Sequence, residues 1–113
     1  MTLRQFIQVQ YGIRVDVIEK IVTVGVTPTA IVGNNPNRLS YTLSNTSQQS
    51  IYTAENPSVS VNNGFQVTPA GFQTFDWRTD GDTVGYELNG ISSAPSTIFV
   101  REVVIIPDET LVA

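Results

Sequence analysis

The sequence predicts an all-β fold, an antiparallel β-sandwich of the jelly-roll or immunoglobulin-like kind with an extended N-terminal strand or arm. Three observations predict it. Short apolar runs rich in Val, Ile, Thr, Tyr and Phe recur every eight to twelve residues, separated by Asn, Gly, Pro and Ser clusters. Within those runs apolar and polar residues alternate, which is the period of a strand with one dry and one wet face. No stretch carries a sustained helical period, and 113 residues suffice for one hydrophobic core but not comfortably for two.

The first element is the most regular. In Ile7–Val17, "IQVQYGIRVDV", every odd position is apolar and every even one polar or small, describing a strand roughly 35 Å long. Few strands in small domains run so far, and an exposed strand of this kind templates aggregation unless something occupies it. The chain therefore divides into an N-terminal arm or strand, residues 1–19, and a single sandwich domain, residues 20–113. In the preferred reading Ile7, Val9, Tyr11, Ile13, Val15 and Val17 form an assembly interface: the arm adds to a neighbouring subunit, main-chain bonds giving affinity and these side chains giving register. The alternatives are an ordinary edge strand of the same sandwich, or an amphipathic helix.

Further strands are predicted at Lys20–Val26, Thr29–Val32, Arg38–Asn45, Ser50–Thr53, Ser58–Val61, Phe65–Val67, Gln73–Trp77, Thr83–Leu88 and Thr97–Ile106. Asn63-Gly64 is a strong hairpin signal, because both residues tolerate the positive φ of a type I′ turn. Pro69-Ala70-Gly71 predicts a type II-like turn with glycine relieving the positive φ, and Asp80-Gly81-Asp82 a turn between two strands. Alternation places Leu39, Tyr41, Leu43, Val84, Tyr86 and Leu88 inward, with Trp77 against them. The last run is apolar on both faces toward its end, so it is central in its sheet or covered by a neighbour.

Composition narrows the function. There is no histidine and no cysteine, which removes the bases and nucleophiles of triad-type acyl transfer, thiolate metal sites and disulfides. The ten acidic residues are dispersed, and no catalytic site is assigned. Three of them, Asp76, Asp80 and Asp82, fall within seven residues and could offer oxygens to calcium, but the order is not that of an EF-hand loop and the same residues serve tight turns; no metal or cofactor is assigned. One lysine and five scattered arginines, with a net charge of −4, leave no basic stripe for nucleic acid. No window has the length of a membrane span, and the N-terminus lacks a signal-peptide pattern, so the expectation is a protein made in a cytoplasm with no membrane partner. Asn45-Thr46-Ser47 matches a glycosylation sequon, a reading that lapses without secretion. Only 14% of residues are charged, so the surface is built from hydroxyls and amides. Trp77 with Tyr86, or with Tyr52, is a candidate ligand platform, a pair of rings on which a glycan could stack; the plainer reading of a lone tryptophan is core.

The segment from Ala30 to Val104 resembles a small β-domain of tailed-phage virion proteins. The resemblance rests on Asn-Pro-Asn-Arg at Asn35 to Arg38 before an alternating strand, Asn45-Thr46-Ser47, the Ile51-Tyr52 pair, the Val59–Gly64 turn, Pro69-Ala70-Gly71, and Val84-Gly85-Tyr86 after an Asp-rich turn. It implies a capsid-associated structural protein: a decoration or cement protein on the capsid exterior, or a spike, fibre, tail or neck subunit. The implied partners are the major capsid protein or another virion protein and further copies of the chain, a trimer being favoured. The pattern carries no catalytic residues.

Overall fold

A computed structural model describes residues 14–106. Its eight strands are β1 (Arg14–Val24), β2 (Thr29–Val32), β3 (Arg38–Asn45), β4 (Ile51–Ala54), β5 (Phe65–Val67), β6 (Phe72–Asp76), β7 (Leu88–Ser92) and β8 (Ser96–Ile106). They form two four-stranded sheets in the orders β1-β8-β3-β6 and β2-β7-β4-β5, every pairing antiparallel. Except at the β4–β5 hairpin, each strand crosses to the opposite sheet from its predecessor. That interleaving is a jelly roll rather than an immunoglobulin-like sandwich.

Alternation explains the core. Val24, Leu43, Ile98 and Val100 from one sheet meet Ile31, Val32, Ile51 and Leu88 from the other, all at most 3% exposed. Each such side chain contributes roughly 1.5–3 kcal/mol through area removed from water. Tyr41 stacks on Phe75 with ring centroids 4.6 Å apart, closing the core beneath β6. β8 lies between β1 and β3, which accounts for part of its two-sided apolar character.

Several expectations are corrected. β1 runs unbroken through position 19, so the boundary drawn there falls inside a strand whose register is Arg14↔Ile106 to Val24↔Ser96. Val15 and Val17 thus pair within their own chain, opposite Ile105 and Val103. Ile7, Val9, Tyr11 and Ile13 lie outside the described residues.

Ser58–Val61 is not a strand. The Asn56 side chain accepts from Ser58 N at 2.8 Å and the Asn63 side chain accepts from Ser60 N, local bonds that outcompete a ladder. Neither Asn63 nor Gly64 takes a positive φ, so the type I′ turn does not form; β4 and β5 pair instead across the longer loop 55–64. The turn at Pro69-Ala70-Gly71 does form, closed by Gly71 N to Thr68 O at 2.7 Å, but Ala70 rather than glycine holds the positive φ of 62°. Gly71 is needed for another reason: a Cβ there would sit 2.8 Å from Thr68 O.

Thr83–Leu88 is not a strand either. Asp76 caps a single helical turn, Trp77–Asp80, by accepting from Arg78 N at 2.8 Å, and a 3-10 turn follows over Gly81–Gly85. Val84 and Leu88 are buried as expected, whereas Tyr86 is turned out. The strand lies one step later, at Leu88–Ser92, where the turn-like pair Asn89-Gly90 masks it in the sequence. Gly90 allows the core side chain of Ile31 to lie over its backbone.

Asn45 is 1% exposed, and its Nδ2 donates to Gln49 O (2.7 Å) and Val67 O (2.8 Å). Both amide hydrogens are engaged, so the sequon is an internal turn brace. Two of the three carboxylates of the Asp-rich segment serve the backbone too: Asp80 Oδ2 accepts from Asp76 N at 2.8 Å, and Asp76 caps the turn. Among the described residues, no three His, Cys, Asp or Glu gather as a metal-binding group.

Candidate functional site: an end cleft and an apolar sheet face

The Asn35-Pro36-Asn37-Arg38 motif builds one end of the sandwich. Asn35 N donates to Gly85 O (2.8 Å), Asn37 N to the Asn35 side chain (2.9 Å), and Ile105 N to Asn37 O (2.7 Å), tying the loop before β3 to the 3-10 turn and to β8. Gly85 is required here, since a Cβ would meet Asn35 O at 2.8 Å. The approach holds the 3-10 turn against the loop and leaves an open cleft of about 590 Å³ between them.

Arg38 forms part of the cleft wall and is 4% exposed. A register shift between Arg38 and Ser40 brings it onto the inward side, opposite Val104, despite the alternation that counts from Leu39. Its Nε donates to Glu102 Oε1 at 2.7 Å, Nη2 to Gly33 O at 2.6 Å and Nη1 to Val84 O at 3.1 Å. Lys20 Nζ lies 3.9 Å from Glu102 Oε2. One guanidinium thus clamps β8, the end of β2 and the 3-10 turn, and its charge is matched within the protein. It also lies over the Tyr41 ring at 5.3 Å. Burial pushes the Tyr41 phenol well above its ordinary value, with Arg38 opposing and Glu55, Asp80 and Glu102 adding to the rise.

Trp77 and Tyr86, the pair singled out in the sequence, line this same cleft. Trp77 is 50% exposed and Tyr86 49% exposed, so Trp77 is not core. It leaves the core because the Asp76 cap turns the chain into a helical turn where the strand was expected to continue. The Arg78 guanidinium covers one side of the indole at 5.5 Å. Asp82 and Asn34 supply polar groups beside the rings. The Asn34 side-chain Oδ1 accepts from Glu87 N at 2.9 Å, which leaves its Nδ2 as a donor.

A second surface lies on the outer side of the β1-β8-β3-β6 sheet. Directly paired residues share a face, so the register places Ile21, Phe99, Ser44 and Phe72 in one row and Val17, Val103, Ser40 and Asp76 in another. Ile21 is 72% and Phe72 73% exposed. Ile105 extends the apolar area along β8 beside the buried Val15, and a polar row of Glu19, Arg101, Thr42 and Thr74 separates the two rows. The sequence placed Val15 and Val17 in an interface, but the contributions of β6 and β8 depend on a register that only the folded sheet supplies.

No protein-family model matches the chain, and no curated protein matches it. A solved structure described as "Bacillus endospore appendages form a novel family of disulfide-linked pili" is similar to it, with a TM-score of 0.49 and 13% identity over 80% of this chain and 85% of that one. The 113 residues here contain no cysteine and cannot be joined by disulfides.

Proposed function

We propose that this chain is a non-enzymatic virion structural protein that decorates or cements the exterior of a capsid, assembling with copies of itself, a trimer being favoured, and with the major capsid protein. The observation that carries the reading is the apolar outer face of the β1-β8-β3-β6 sheet, with Ile21 and Phe72 at its two edges. Large exposed apolar side chains gathered on one sheet face mark a contact surface in a protein of which only 14% of residues are charged. The resemblance of Ala30 to Val104 to phage virion domains supplies the class of partner. A protein that binds only the assembled shell stabilises it by mass action, and many copies on one lattice add through multivalency. Strand addition by residues 1–13 belongs to the same proposal, Ile7, Val9, Tyr11 and Ile13 giving the register.

Light scattering of the purified chain should give a closed oligomer, and the variant Ile21→Asp with Phe72→Asp a folded monomer. Immunogold labelling of virions that carry the protein should decorate the capsid exterior. A wild-type monomer at micromolar concentration would sink the self-assembly, and label confined to the tail or neck would overturn the decoration role.

A further inference from the structure

We propose that the end cleft is a binding site for a neutral pyranose sugar, with Trp77 and Tyr86 as stacking surfaces and Asp82 and Asn34 as the hydroxyl partners. The inference stands on the cleft alone and does not depend on the capsid reading; its four key residues are not among those of the apolar sheet face.

The argument is chemical. A pyranose has apolar patches of C–H bonds above and below a ring of hydroxyls, so its site needs flat aromatic surface together with a few fixed donors and acceptors. Here two half-exposed aromatic residues share one cleft of about 590 Å³, a volume that suits one or two sugar rings. Leaving two large rings open costs the fold apolar burial that it uses elsewhere, as Tyr41 and Phe75 show. The cleft is also braced. Gly85 lies against the Asn35 backbone, and Arg38 holds Val84 O and Gly33 O, so the walls are set before any ligand arrives.

Charge selects among sugars. The buried guanidinium of Arg38 is matched by Glu102, and that of Arg78 lies over the indole. The Asp82 carboxylate has no hydrogen-bond or ion-pair partner among the described residues, so it can accept from two adjacent hydroxyls. A sialic or uronic acid would bring its own carboxylate toward Asp82 in a protein of net charge −4. Neutral sugars escape that repulsion.

Trp77 is the one tryptophan in the chain, so intrinsic tryptophan fluorescence reports on the cleft. The test titrates the full chain with maltotriose, cellotriose, chitotriose and lactose, and with 3′-sialyllactose as the acidic probe. A saturable change with at least one neutral sugar is expected at about millimolar Kd, with sialyllactose at least tenfold weaker than lactose if lactose binds. Asp82→Asn should weaken binding about tenfold and Tyr86→Ala roughly fivefold, with thermal midpoints unchanged. Trp77→Ala, followed by calorimetry, should abolish it. No saturable change with any neutral probe overturns the proposal. So does binding that survives in both Asp82→Asn and Trp77→Ala, which would put the sugar elsewhere, and so does tighter binding of sialyllactose than of lactose.

Discussion

Arg38 and Tyr41 are the residues whose chemistry the fold changes most. Arg38 looks in sequence like one of five scattered surface cations; in the structure it donates to the Glu102 carboxylate and to the backbone oxygens of Gly33 and Val84, three acceptors on three separate segments. Arg38→Met should cost about 3–5 kcal/mol in urea unfolding, because Glu102 is left buried with only Lys20 at 3.9 Å. Adding Glu102→Leu should restore most of the loss, which separates an unpaired charge from a packing defect. Tyr41 gives a pH signature. Its folded-state pKa is raised by burial above the ordinary 10.0, so above pH 10 the unfolded chain releases the phenolic proton while the folded one keeps it. The folded state then binds more protons, and stability falls as pH rises, by up to about 1.4 kcal/mol per pH unit for this one group. Tyr41→Phe should flatten that alkaline slope in unfolding curves between pH 9 and 11.

At the level of elements, β1 shows how a local pattern leaves the partner strand open. The odd-position pattern of "IQVQYGIRVDV" marks a strand but does not say which partner it has, since any antiparallel neighbour satisfies it. The register with β8 fixes the partner for residues 14–24. Removing residues 1–12 should therefore leave thermal unfolding cooperative and its midpoint within a few degrees. Removing residues 1–24 strips an eleven-residue ladder and the fully buried Val24, and should abolish the near-UV circular dichroism of the folded core. The strands at Thr29–Val32, Arg38–Asn45 and Phe65–Val67 were legible to the residue because apolar or alternating runs are bounded there by Asn, Gly or Pro. Thr83–Leu88 was not. Its alternation is genuine, but Asp76 and Asp80 engage the backbone locally and win over a ladder whose partner is far away in sequence.

For the whole molecule, the jelly roll leaves two candidate surfaces, the apolar sheet face and the end cleft. The sheet face carries the opposed charges Glu19 and Arg101 among apolar residues. Association through it should persist or strengthen as salt rises, because apolar contacts dominate and a net charge of −4 per copy is screened. Light scattering across a salt series checks this; dissociation by salt would point instead to charge pairs as the glue.

The sequence by itself determined that the chain is an all-β sandwich, because alternation is a local property and most of the strands carry it. It also named Trp77 and Tyr86 as a pair, though it could not say whether they met. The tertiary structure alone decided that they share a cleft, that Arg38 turns inward at a bulge, and that β1 closes on β8. Each of these depends on register and on contacts between residues tens of positions apart, and a period of two along the chain is silent about which strand lies beside which.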